Sequence, residues 1–143
     1  MKRAIIVKGT ANIGKSTIIY SIYDWIVSTY CVKPITNSTW VTNGVNEVRA
    51  VLEIGKLKIG IASPGDTYQE VDQNLDEFFK HDVEIIICSC RTRGYSFDHV
   101  RRRLPYPQYV TNWCIPQWIS PSISVRVPIA INELKALLIG LSK

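Results

Sequence analysis

The chain has 143 residues, 46% of them hydrophobic and 20% charged, with 17 Lys and Arg against 12 Asp and Glu for a formal charge of +5. A chain of this length buries roughly 68–70% of its unfolded surface, so packing alone sustains a core without disulfide or metal. Residues 1–143 are read as one folded domain, and with charge or Gly interrupting every apolar stretch, a membrane span is excluded.

Ala4 to Val7 is a short continuous apolar run, the pattern of a strand buried on both faces. Its basic start precedes only four apolar residues before Lys8, too few for a secretory signal, which predicts a cytoplasmic protein. From Lys15 to about Tyr30, Ile18, Ile22, Ile26 and Tyr30 recur at i+4 with Ile19 alongside, giving a helix with one apolar stripe. Between strand and helix stands Gly9-Thr10-Ala11-Asn12-Ile13-Gly14-Lys15-Ser16, which satisfies G-x-x-x-x-G-K-[ST] at every fixed position. Without side chains at Gly9 and Gly14, backbone N–H groups are free to wrap around a phosphate chain. The helix start adds unpaired amides and the positive end of its dipole. Lys15 contributes a full positive charge, and the Ser16 hydroxyl is a hard oxygen donor suited to Mg²⁺.

Residues 31–46 are polar, rich in Thr and Asn, and contain Pro34 and Gly44, which predicts a long loop. Val48 to Ile54 and Leu57 to Ala62, joined by Gly55-Lys56, predict an antiparallel hairpin. Val71, Leu75 and Phe78-Phe79 give a helical period ending near Lys80, and Val83 to Cys88 a second buried strand. Phe97, Val100 and Leu104 mark a short helix stopped by Pro105. Tyr109 to Cys114 reads as another strand, the stretch through Pro128 carries no clear period, and a helix from about Ile129 to Ile139 is ended by Gly140. Alternating strands and helices predict an α/β fold, a mostly parallel sheet with helices on both faces and one antiparallel hairpin strand.

The four cysteines form no C-x-x-C pair and read as buried, reduced thiols; His81 and His99 lie near none of them, which disfavours zinc. The tryptophans read as packing, with Trp40 in the polar stretch the exception.

On residues 9–16 the chain resembles the P-loop NTPase superfamily, whose Walker A motif is matched there, with Thr17 where many members have another hydroxyl. The resemblance covers the first thirty residues and beyond them only the architecture. It implies ATP or GTP binding with Mg²⁺ and hydrolysis or phosphoryl transfer, with phosphate contacts from Gly9, Asn12, Ile13, Gly14, Lys15, Ser16 and Thr17 and the metal at Ser16. Members normally carry an acid at the tip of a strand beside the loop. Here the strand runs Ile61-Ala62-Ser63-Pro64-Gly65-Asp66, with Ala62 in the acid's place. Of the twelve acids only Asp66 follows directly from a strand end, and Gly65 lets the turn bring it back, so Asp66 is the candidate metal-side acid. Glu47 and Glu53 flank or sit within a strand.

Five of the eight arginines fall in residues 91–103, against one acid, Asp98. Arg91 and Arg93 follow a buried strand, where ligands of parallel sheets sit, and are candidates for stabilising charge on transferred phosphate oxygens. Arg101, Arg102 and Arg103 are consecutive and read as a solvated helix end. Three uses follow: an NTPase or small-molecule kinase, a regulatory module that holds nucleotide with little turnover, or nucleic-acid binding through the arginine window, the least favoured. The guanine-reading N-K-x-D is absent, Asn112 alone agreeing, which leans the base towards ATP.

Overall fold

The computed structural model describes residues 2–141. In chain order the elements are β1 (Lys2–Lys8), α1 (Lys15–Thr29), β2 (Lys33–Thr42), β3 (Val45–Ile54), β4 (Leu57–Ala62), α2 (Tyr68–Lys80), β5 (Ile85–Cys90), α3 (Tyr95–Arg103), β6 (Tyr109–Cys114), α4 (Pro116–Ile119) and α5 (Ile123–Leu141). One sheet carries the strands in the order β2-β3-β4-β5-β1-β6. β1 pairs in parallel with β5 and β6, and β4 with β5, while β3 is antiparallel to both β2 and β4. β3 therefore runs alone against the rest.

The pleat divides the core. Ile5 and Val7 face a layer built by α1 and α5 through Ile18, Ile22, Ile26, Ala130, Leu134 and Leu138. Ala4 and Ile6 face α2 and α3 through Val71, Leu75, Phe78, Val100 and Leu104. Burying each such aliphatic or aromatic side chain contributes about 1.5–3 kcal/mol, which is why β1 is apolar at four consecutive positions.

Three sequence expectations are corrected. Residues 31–46 are not a long loop: β2 occupies Lys33–Thr42 as an edge strand paired with β3. Its polar side chains face water, and β-branched Ile35, Thr36, Thr39, Val41 and Thr42 carry the extended backbone. Asn43 and Gly44, with φ of 50° and 76°, supply the tight turn into β3. The last helix begins at Ile123 rather than Ile129 and runs through Pro128 and Gly140. A proline inside a helix costs about 3 kcal/mol, offset here by the burial of Val127, Ala130, Leu134 and Leu138. Finally, Cys88, Cys90 and Cys114 are buried thiols as expected, but Cys31 is exposed.

Among the described residues, no helix is long and apolar enough to cross a membrane.

Candidate phosphate-binding site

The 9–16 segment forms a closed turn at the carboxyl end of β1. Gly14 adopts a left-handed φ of 99°, and a Cβ there would sit 2.7 Å from Val127 of α5. A Cβ on Gly9 would strike the buried Ile13 side chain at 2.0 Å. Gly14 is thus demanded by backbone conformation as well as by packing, and Gly9 by the close approach of the Ile13 side chain. Lys15 is buried, and its Nζ donates to the Gly9 carbonyl at 2.6 Å, closing the turn on itself. α1 then starts with no side-chain cap, so the first-turn N–H groups lack intrahelical acceptors. The contrast is α2, where Thr67 and Glu70 form a full capping box.

Two carboxylates close on this turn. Asp66 Oδ1 accepts from Lys15 Nζ at 2.8 Å, although its side chain is 46% exposed. The β4-to-α2 turn thus returns Asp66 to the loop, but its partner there is the Lys15 ammonium and not Ser16. The strands beside β1 are β5 and β6, so β4, which leads to Asp66, is one strand removed from the loop's own strand. The second carboxylate is Glu47, at the start of β3: Oε2 accepts from Ser16 Oγ at 3.2 Å and Oε1 from Ser63 Oγ at 2.6 Å. Sequence reasoning set Glu47 aside as a strand residue, yet the hairpin register held the signal. Ile54 pairs with Leu57 and Arg49 with Ala62, so counting outward puts Glu47 across from position 64, at the same sheet edge as the loop.

A cleft of about 420 Å³ runs along Asn12, Gly14 to Thr17, Asp66 and the Thr42-Asn43 turn, within the range of small-ligand sites, ~300–1,000 Å³. A smaller one, of about 190 Å³, continues past Lys15 and Ser16 to Trp40, Glu47, Ser63 and Asp66. Trp40 faces the site from the edge strand.

Arg126, also unforeseen, braces the loop from behind. It is 6% exposed, and its Nε donates to the Ile13 carbonyl at 3.1 Å while Nη1 reaches the Ser120 and Pro121 carbonyls. Arg91 and Arg93 lie on the turn after β5. The Gly9 N–H donates to the Cys90 carbonyl at 3.1 Å, which sets Arg91 one residue from the loop's first contact. Neither arginine lines the two clefts around Lys15. Arg103, by contrast, is not simply solvated: it pairs with Asp72 and Asp76 of α2. Burial pushes the Cys90 thiol up to about 12, against the pull of Lys15 and Lys8, so it stays protonated and is no nucleophile near neutral pH.

Comparison with known protein families, curated proteins and solved structures finds no match to this chain.

The donor chemistry at Ser16 suits a hard cation, since a hydroxyl and a carboxylate are both oxygen ligands. Among the described residues no group of three or more His, Cys, Asp or Glu could hold a metal. A Mg²⁺ ion at Ser16 would therefore need phosphate oxygens and water to complete its shell.

Proposed function

We propose that the chain binds a nucleoside triphosphate through residues 9–16, with ATP favoured over GTP, and carries out Mg²⁺-dependent hydrolysis or phosphoryl transfer. The observation that carries the reading is the junction at Lys15. A buried ammonium spans a closed glycine turn, opens an uncapped helix and already holds an anionic group, the Asp66 carboxylate. An ammonium so held exchanges one anion for another, and the surrounding free amides favour the one with several oxygens.

In this reading the loop amides and Lys15 grip the phosphates, Ser16 faces the cation, and Arg91 or Arg93 offsets charge from the neighbouring turn. Mg²⁺, when bound, neutralises charge on the phosphate oxygens. Catalysis is then positioning plus charge stabilisation, with no covalent chemistry asked of the protein. The acceptor is water or, in a small-molecule kinase, a metabolite. Ala62 at the tip of β4 favours a second reading, a regulatory module that holds nucleotide with little turnover.

Thermal shift with ATP, GTP and Mg²⁺ tests binding. At a ligand concentration 100-fold above Kd the melting temperature should rise by about 5–10 °C, and Lys15→Ala should abolish the rise. No shift with any triphosphate, or an undiminished shift in Lys15→Ala, refutes the assignment. Steady-state phosphate release from the nucleotide that binds separates enzyme from module.

A further inference from the structure

We propose that Glu47 is the carboxylate that holds the divalent cation at the phosphate loop, positioned by Ser63, and that Asp66 serves the Lys15 ammonium instead. The proposal rests on the nucleotide reading above and assigns its metal side. Three observations carry it.

The first is charge. Asp66 already has a cation, the Lys15 ammonium 2.8 Å away. Glu47 is part-buried, and its oxygens meet only the hydroxyls of Ser16 and Ser63; among the described residues no Lys, Arg or His pairs with it. A carboxylate taken partly out of water and given neutral partners alone is stabilised by a positive charge.

The second is rigidity. Ser63 is 2% exposed, and its hydroxyl accepts from the Val48 N–H at 2.8 Å. That bond leaves its proton for Glu47 Oε1 at 2.6 Å, which fixes the carboxylate with Oε2 towards Ser16. The Ser16 hydroxyl donates its one proton to Glu47 and keeps lone pairs for a metal. Carboxylates that orient a metal's ligands in this way are worth about 10–100-fold in metal affinity.

The third is topology. The tip of β4 carries Ala62, and the antiparallel neighbour β3 passes its own first residues along that same edge. The acid missing from the parallel strand is delivered by the next strand over, from its amino end.

Calorimetric titration of the full chain with ATP, once with excess MgCl₂ and once with EDTA, tests the assignment without any turnover. The wild-type protein should bind ATP more tightly with Mg²⁺. In Glu47→Gln, where the amide oxygen still accepts from Ser63, that gain should fall by about tenfold or more while the EDTA affinity is kept. Asp66→Asn should retain the gain. Circular dichroism and the melting temperature of each variant show that it folds; should Glu47→Gln fail to fold, Ser63→Ala should reduce the gain in its place. If Glu47→Gln keeps the full gain, or Asp66→Asn abolishes it, the assignment to Glu47 is wrong and the nucleotide reading stands. If the wild-type protein binds ATP and GTP under neither condition, both fall together.

Discussion

Gly65 lies directly on Ser89: a Cβ at Gly65 would sit 2.1 Å from the Ser89 carbonyl oxygen and 2.3 Å from its Oγ. The reason is the strand order. β5 stands between β4 and β1, so the turn leaving β4 must cross the end of β5 to bring Asp66 to Lys15. Ser89 Oγ, donating to the Ser63 carbonyl at 2.7 Å, ties the crossing down. Only a residue without a side chain passes over a backbone at that distance.

Gly65→Ala should therefore strain the crossing and displace both Ser63 and Asp66. Overpacking of this kind costs about 1–3 kcal/mol, read as a lower urea midpoint, and triphosphate affinity should fall with it. Gly140→Ala is the control, since among the described residues nothing lies within 4 Å of its Cβ position in α5; it should gain up to about 1 kcal/mol. Equal midpoints for Gly65→Ala and wild type would show that the crossing tolerates a side chain.

Why some of this was legible in the sequence and some not follows from which signals are local. The Gly9 to Ser16 turn, the apolar run of β1 and the stripe of α1 are short-range patterns and survive intact in the fold. So does the hairpin at Gly55-Lys56, whose register also contained Glu47. β2 was hidden because edge-strand side chains face water and read as loop, although Asn43-Gly44 marked its turn. Strand order was not legible: nothing local shows that β5 separates β4 from β1. Arg126 was hidden by Pro121 and Pro128, which suggested a broken segment where tertiary packing sustains a helix.

Asp66 competes with an anionic ligand for Lys15. An ion pair with one half-exposed partner contributes up to about 1 kcal/mol, so Asp66→Asn should tighten ATP binding in EDTA by up to about fivefold. Inorganic tripolyphosphate, which has no base or sugar, should gain by the same factor, and titration calorimetry with both ligands reads it. Weaker binding of both would mean that Asp66 helps to orient Lys15 rather than compete for it.

Acid stability should depend on Asp72. The hydrogen bond from His99 Nε2, 2.6 Å from Oδ1, and then that from Arg103 hold the Asp72 carboxyl below the usual carboxylate range. A depressed folded-state pKa contributes stability that is present above the unfolded value of about 3.9 and is lost as pH falls through the folded one. These contacts join α2 to α3. Urea midpoints measured downward from pH 6 should drop below about pH 4, and Asp72→Asn should be less stable at pH 6 with a shallower acid drop. Parallel curves for the two proteins would exclude the pair as a source of acid sensitivity.

Arg126 should govern the shape of the phosphate loop. Among the described residues its buried guanidinium has carbonyl partners only, and the contact to Ile13 reaches into the middle of the turn. Arg126→Met keeps an apolar stem of similar length but strands the Ile13, Ser120 and Pro121 carbonyls. Of the three only the Ile13 carbonyl is buried, and an unsatisfied buried acceptor costs about 1–3 kcal/mol, so the urea midpoint should fall accordingly. Arg126→Lys restores one donor group and should lie between the two. The loop consequence is separable from the stability loss: under conditions where both variants are fully folded, ATP affinity should drop by about tenfold in Arg126→Met, an estimate equivalent to ~1.4 kcal/mol. A destabilised Arg126→Met that binds ATP as wild type does would assign Arg126 to the packing of α5 alone.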